Sequence, residues 1–298
     1  MHRRFARAQG AAIIALLGLK SSAELAPPPG FVFQFEWQSQ DPLHGGLSGI
    51  HLSQMGRKIV LLSDQGAFST GEISRDSDDF ITNITLTPFQ KLKALGQEPL
   101  APGRNDSEGL AMDATGTAFI SLEGVARVLR YDDLSGPAQN LPDHPDFAQM
   151  QPNSSLEALA IDANGVLYAL PERSGGEARP FVIYRFQNEI WDTKLSLPRE
   201  DGFLPVAADI GPDGKLYILL RQFHGLAGFS SKLIRTTLGP KSIGQVEVLF
   251  TSKTGFHDNL EGLSIWRDTT GGLRATMVAD DNFLPFLSSG IVEYRLPD

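Results

Sequence analysis

Along most of the chain, apolar residues come in short runs broken by clusters of Gly, Pro, Asp and Asn, the pattern of strands and turns. Five segments share one design: a strand of small residues, a polar turn, a more apolar strand and an acidic or polar exit. They are Leu47 to Leu52 into Lys58 to Asp64, Ser107 to Asp113 into Ala118 to Glu123, and Leu156 to Asp162 into Leu167 to Glu172, followed by Val206 to Ile210 into Leu216 to Arg221 and Leu260 to Trp266 into Ala275 to Asp280. In the middle three the register is constant. Glu108 to Glu123, Glu157 to Glu172 and Val206 to Arg221 are each 15 residues apart. The turns between their strands, Ala114-Thr115-Gly116, Ala163-Asn164-Gly165 and Pro212-Asp213-Gly214, carry the residues of tight hairpins.

Further strand-like runs follow each pair: Ile81 to Leu86, Arg127 to Tyr131, Val182 to Phe186 with Thr193 to Leu197, and Lys232 to Thr237 with Gln245 to Phe250. Four strands per repeat of about 50 residues is the composition of a propeller blade. The fifth unit ends at Gly290 to Leu296 one strand short, and the alternating segment Phe31 to Trp37 supplies the missing one. The expected fold is therefore all-β: a single β-propeller of five four-stranded blades, closed by the N-terminal strand, with six blades as the alternative. The segment Phe89 to Arg104 reads as an insertion over one face, and a helix around Phe89 to Leu95 is compatible with it.

Antiparallel pairing puts the residue entering the first strand and the residue leaving the second at one edge of the sheet. In a propeller that edge is a mouth of the central channel. The entering residues are Ser48, Glu108, Glu157, Val206 and Glu261, and the leaving residues are Asp64, Glu123, Glu172, Arg221 and Asp280, with Asp281 and Asn282 beside the last. Crowded carboxylates raise one another's pKa, and a bound cation reverses that effect. Oxygen donors without Cys and with few His suit Ca²⁺, with Mg²⁺ the alternative. Expected metal ligands are Glu108, Glu157, Glu261, Asp280, Asp281 and Asn282. Small residues after the glutamates, Gly109, Ala158 and Gly262, would let the backbone approach a central ligand. Against this stands a plainer role, in which each Glu accepts hydrogen bonds from the next blade. Asp113, Asp162 and Asp213, at the other end of the hairpins, read as turn formers. Arg221 either pairs with Glu172 or Asp280 or grips an anionic substrate. Arg173, His224 and His257 read as surface residues, and Ser48 has no nucleophile elbow around it.

Composition narrows the partners. A net charge of −9 argues against nucleic acid, which needs clustered Lys and Arg. The absence of cysteine excludes disulfides, thiolate metal sites and a cysteine nucleophile. Arg3, Arg4 and Arg7 followed by the apolar run Gly10 to Leu19 read as a signal peptide over residues 1–26, cleaved after Ala23 or Ala26. The run is too short for a transmembrane anchor, which needs roughly 20 apolar residues. The expectation is a periplasmic or secreted protein with one domain over residues 27–298, whose protein partner, if any, the sequence does not name.

Gly46-Leu47-Ser48-Gly49-Ile50 with Ser63-Asp64, Asp106-Ser107-Glu108-Gly109-Leu110, and Leu156-Glu157-Ala158-Leu159-Ala160 with Pro171-Glu172 resemble the phytase-like family, known for esterase-like activity of phytase. So do Asn259-Leu260-Glu261-Gly262-Leu263 and Ala279-Asp280-Asp281-Asn282-Phe283. The resemblance implies an exported propeller with an acidic, calcium-dependent site that hydrolyses a phosphate ester or related ester. In such a hydrolase Asp64, Glu123, Glu172 or Asp280 would complete the metal shell or act as general base, and Arg221 would balance charge on a small anionic or ester substrate. Val206 departs from the pattern, and no Lys/Arg cluster is evident for a highly phosphorylated inositol, which argues against phytase activity proper. A propeller lactonase would use nearly the same constellation. A non-catalytic binding module with a structural cation is the reading from outside enzymology.

Overall fold

In a computed structural model, which describes residues 25–37, 41–199, 201–281 and 289–297, the repeat builds five blades. The first contains β2 (Leu47–Ser53), β3 (Lys58–Ser63), β4 (Ala67–Arg75) and β5 (Ile81–Leu86), with the short β6 (Gln90–Lys91) also on β4. The second contains β7 (Ser107–Met112), β8 (Ala118–Leu122), β9 (Arg127–Tyr131) and β10 (Gln139–Asn140). The third runs through β11 (Leu156–Ile161), β12 (Leu167–Pro171), β13 (Phe181–Gln187) and β14 (Ile190–Leu197). β15 (Leu204–Ile210), β16 (Leu216–Phe223), β17 (Phe229–Thr236) and β18 (Glu247–Thr251) form the fourth. The fifth takes β19 (Asn259–Arg267), β20 (Leu273–Asp280) and β21 (Ser289–Arg295) from the C-terminus, and β1 (Phe31–Trp37) from the N-terminus.

β1 pairs antiparallel with β21, so both ends of the described chain are held in one sheet and the ring closes at five blades, not six. The expected outer strands are present, offset by a few residues at their ends. No helix forms at Phe89 to Leu95. Instead β6 pairs with Ala67 and Phe68, and Leu92 is fully buried, its N–H bonded to the Gly66 carbonyl. Burying Phe89 between the first and fifth blades and Leu92 between the first and second outweighs a weak helical preference. Residues 1–24, most of the expected signal segment, lie outside the described residues. No helix among the described residues is long and apolar enough to cross a membrane.

The innermost strands β2, β7, β11, β15 and β19 neighbour one another around the axis. Between consecutive blades lie five apolar clusters, one per interface. Leu110 and Ile120 meet Leu62 and Phe68, for example, and Tyr217 and Leu219 meet Leu263 and Met277. Each interface thus buries side chains from two sheets. A fully buried Leu such as Leu61 is worth about 2–5 kcal/mol against Ala. The fifth-to-first interface also buries an ion pair, Arg75 to Glu293 at 2.6 Å, with the guanidinium 4.4 Å from the Trp266 ring.

At the end of the hairpins away from the site, Asp113, Asp162 and Asp213 accept backbone N–H bonds from two or more residues ahead, as expected of turn formers. Gly116, Gly165 and Gly214 have positive φ, while Asn164 and Asp213 do not. The loops are therefore type I turns ending in a left-handed glycine, not the two-residue mirror-image type. His257 is buried rather than exposed, bonding Tyr294 Oη at 2.6 Å and Gln34 at 3.1 Å behind β1.

Candidate metal centre at the channel mouth

Every blade carries a bulge at the same place. The ladder between first and second strands skips a register at Ser48, at Glu108-Gly109, at Glu157, at Val206 and at Glu261. A bulged residue is released from the pleat's strict alternation, so its side chain is re-aimed. Here the re-aimed positions are the five entering residues. Their antiparallel partners leave the second strands beside them: Leu47 opposes Ser63, just before Asp64, Ser107 opposes Leu122, just before Glu123, and Leu156 opposes Pro171, just before Glu172.

The closest gathering is Asp106, Glu108 and Glu123, each offering a carboxylate oxygen with all three within 4.8 Å of one another. Burial raises the Glu108 carboxyl well above its ordinary range, and the charges of Glu261, Glu123, Asp106 and Asp64 add to it. Glu157 is raised by burial and then by Glu108 and Glu123. Asp106 and Glu123 are raised by burial too, although each is paired carboxyl to carboxyl, Asp106 with Glu108 and Glu123 with Glu157. Neighbouring carboxyls this close cannot all ionise without a compensating cation. Glu123 also accepts the Ser155 N–H of the next blade at 2.6 Å, so the plain inter-blade role is real for that residue.

Asp64 sits at the same mouth, raised to about 7 by burial and by Asp106, Glu261 and Asp281. Its Oδ1 is buried without a hydrogen-bond partner. A Cβ on Gly46 would lie 2.1 Å from that oxygen, and Gly46 has φ +55, so glycine keeps the space beside Asp64 open. A hard cation fits this donor set: oxygen ligands only, one of them an orphaned carboxylate oxygen, with like charges that need neutralising.

The other side of the mouth is neutralised from within. Arg221 donates through Nη1 to Glu261 and to Asn259 Oδ1 (2.5 Å), and its Nη2 lies 3.4 Å from Glu172. Burial alone would lower the Arg221 pKa, but Glu261, Glu157 and Glu172 together raise it. Asn259 Nδ2 donates to Glu261 (2.8 Å) and Asp280 (3.2 Å). Asp281 accepts the Gly46 N–H (3.2 Å) and the Ser289 hydroxyl (2.8 Å). Of the ligands expected from sequence, Glu108 belongs to the close trio and Glu157 adjoins it through Glu123. Glu261 and Asp280 are engaged by Arg221 and Asn259, and Asn282 lies outside the described residues. Glu172 faces Arg221 on one side and Arg173 on the other, at 3.4 and 3.6 Å.

Sequence reasoning missed Asp106 and Asn259. Each stands two residues before a bulged glutamate, in Asp106-Ser107-Glu108 and Asn259-Leu260-Glu261, and that shared offset was the available signal. Gly109 and Gly262 serve the ring rather than a ligand. A Cβ on Gly109 would lie 2.7 Å from the Glu157 carbonyl oxygen, and one on Gly262 3.1 Å from the Gly49 backbone. Ser48 Oγ donates to the Ser107 carbonyl (2.6 Å), and Ser107 Oγ to the Ser63 carbonyl (2.7 Å), so these hydroxyls join blades one and two.

Fold and mouth together define a five-bladed propeller with an acidic, bulge-lined channel entrance. The sequence profile of the phytase-like family, described as esterase-like activity of phytase, matches residues 42–283, and the chain belongs to that family. No curated protein matches the sequence. Among solved structures, the chain is similar to a protein of unknown function from Dyadobacter fermentans DSM 18053 (15% identity, TM-score 0.47, 90% of this chain and 88% of that one). It is also similar to the PQQ-bound aldose sugar dehydrogenase of Streptomyces coelicolor (12%, 0.44, 90% and 100%) and to a proposed gluconolactonase (14%, 0.46, 91% and 94%).

Proposed function

We propose that this protein is an exported, calcium-dependent hydrolase of a phosphate ester or related ester. The observation that carries the reading is the Asp106, Glu108 and Glu123 trio at the bulged mouth, with its oxygens within 4.8 Å. Those three residues would hold the cation, with Glu157 adjoining. Bound there, Ca²⁺ would act as a Lewis acid on an ester oxygen.

The remaining chemistry belongs to the protein. Asp64, whose buried Oδ1 has no hydrogen-bond partner, would take a proton from an attacking water and return it to the departing alcohol. Water adds to the phosphoryl or acyl centre, the ester C–O or P–O bond breaks, and the alcohol leaves with the proton Asp64 carried. Arg221 holds Glu261 and Glu172 in place by paired hydrogen bonds. Export is supported by Arg3, Arg4 and Arg7 ahead of the apolar run Gly10 to Leu19. N-terminal sequencing of protein recovered from the cell envelope or medium tests it, and a retained Met1 rejects it.

The deciding experiment strips the protein with EDTA, then titrates Ca²⁺ while following the unfolding midpoint and the hydrolysis of aryl phosphates, aryl esters and lactones. The reading expects a calcium-dependent rise in midpoint and hydrolysis that requires the same ion. A midpoint that rises with no turnover of any substrate assigns the cation a structural role. No rise at all removes the metal centre.

A further inference from the structure

On the outer side of Glu172, the loop after β12 and the start of β13 border a groove of about 500 Å³, lined by Met150, Ser154, Arg173, Ser174, Arg179 and Tyr184 among others. Two arginines line it, Arg173 and Arg179, and a third, Arg199, bonds the lining Ser174. Arg173 donates through Nε to Ser154 Oγ (3.1 Å) and is 3.6 Å from Glu172. Arg199 donates to Ser174 Oγ (3.0 Å), with its guanidinium 5.2 Å from the Phe181 ring. Among the described residues no carboxylate lies within ion-pair distance of Arg179 or Arg199. The acidic residue lining the groove, Asp146, accepts the Tyr184 hydroxyl (3.1 Å) and lies 3.5 Å from His144 Nδ1.

We propose that this groove is an oxyanion-binding subsite, in which Arg173 and Arg179, backed by Arg199, take a phosphate or carboxylate group carried by the substrate away from its scissile bond. A chain of net charge −9 with an acidic mouth repels anions at long range. Arg179 and Arg199, with no carboxylate within ion-pair distance among the described residues, and Arg173, which shares Glu172 with Arg221, offset that repulsion at short range. A guanidinium presents parallel N–H donors that match two oxygens of one oxyanion; exposed Arg179 can turn its donors into the groove, while Arg173, held through Nε by Ser154 and Glu172, keeps its Nη groups for a ligand. Gly175 and Gly176 lie under the Arg179 side chain, 3.7 Å from where a Cβ would sit, so no larger side chain crowds the arginine there. Glu172 connects groove and mouth: Arg173, which lines the groove, faces one of its oxygens, and Arg221 at the mouth faces the other. A ligand anchored in the groove therefore lies next to the carboxylate mouth. The substrate class that follows, on the hydrolase reading above, is an ester with a second, fixed negative charge.

The test measures equilibrium binding of inorganic phosphate, and separately of acetate, to the signal-free protein by calorimetry in the presence of EDTA. Arg173→Ala/Arg179→Ala and Glu108→Gln proteins are compared in the same way. Phosphate binds the wild type without calcium, the double variant binds it at least tenfold more weakly with an unchanged unfolding midpoint, and Glu108→Gln binds it normally. Phosphate binding without acetate binding makes the ligand a tetrahedral dianion, and comparable binding of both makes it any oxyanion; either supports the subsite. Wild type that fails to bind either anion, or a double variant that binds as well as wild type, overturns it. Because Glu108→Gln probes the metal centre and the double variant probes the groove, failure of one reading is separable from failure of the other.

Discussion

Arg221 and Glu261 stand 40 residues apart in sequence, on neighbouring blades, yet the guanidinium donates directly to the carboxylate across the channel mouth. Both side chains are largely withdrawn from water. The single cation of the register positions thus neutralises one side of the acidic ring and leaves the Asp106, Glu108 and Glu123 side uncompensated. Replacing Arg221 with Met should strand Glu261 and Glu172, at a cost of about 3 kcal/mol in urea unfolding at pH 7.5. A loss below about 0.5 kcal/mol at pH 7.5 means that the pair contributes nothing net.

The uncompensated side is where added calcium should act. Glu108→Gln and Asp106→Asn are each expected to abolish most of the calcium-dependent rise in unfolding midpoint. Asp162→Asn, at the far end of its hairpin, should leave that rise intact while costing about 1 kcal/mol from the lost turn bonds. Differential scanning calorimetry with and without the ion reads both effects, and equal calcium responses in all three variants would place the ion elsewhere.

Ser48 occupies a bulge in the same ring but spends its hydroxyl on the Ser107 carbonyl. Ser48→Ala should therefore lose about 1 kcal/mol of stability while turnover of any ester substrate stays within a few-fold of wild type. Loss of turnover by a thousandfold, with the fold intact by circular dichroism, would instead make Ser48 a nucleophile.

Asp209 gives a pH dependence of stability distinct from the mouth. Burial lifts its carboxyl to about 7, against which the Ile265 N–H at 2.6 Å pulls only partly. Because the folded pKa is raised, the folded state binds this proton more tightly than the unfolded chain. The stability it contributes is present below about pH 4 and is lost as pH rises towards 7, by at most about 1.4 kcal/mol per pH unit. Asp209→Asn keeps an acceptor for Ile265 without the charge. Its midpoint should match wild type near pH 4 and exceed it at pH 8. A variant equally destabilised at both pH values contradicts the shifted carboxyl.

The blade repeat, its closure by the N-terminal strand and the placing of acidic residues at one mouth were legible in the sequence, because each rests on local chemistry, while the choice of five blades over six fell to the structure. Asp-Gly and Asn-Gly turns at constant spacing define hairpins, and antiparallel pairing then puts Glu108 beside Glu123 and Glu157 beside Glu172 whatever surrounds them. The one-strand deficit of the fifth unit likewise left Phe31 to Trp37 a single place to go. What only the folded ring decided was which charges meet. The bulges at Ser48, Glu108, Glu157, Val206 and Glu261 leave no mark in alternation, since one extra residue looks the same in a short strand. Arg221 reaches Glu261 because blades four and five abut at the axis, and Arg173 and Arg179 flank one groove because a glycine-bearing loop folds back on itself. Gly109 and Gly262 looked like room for a ligand, but the approach they permit is between backbones of adjacent blades. Local propensity and register are properties of a segment, whereas the meeting of side chains from different blades depends on packing between sheets, and no single strand carries that information.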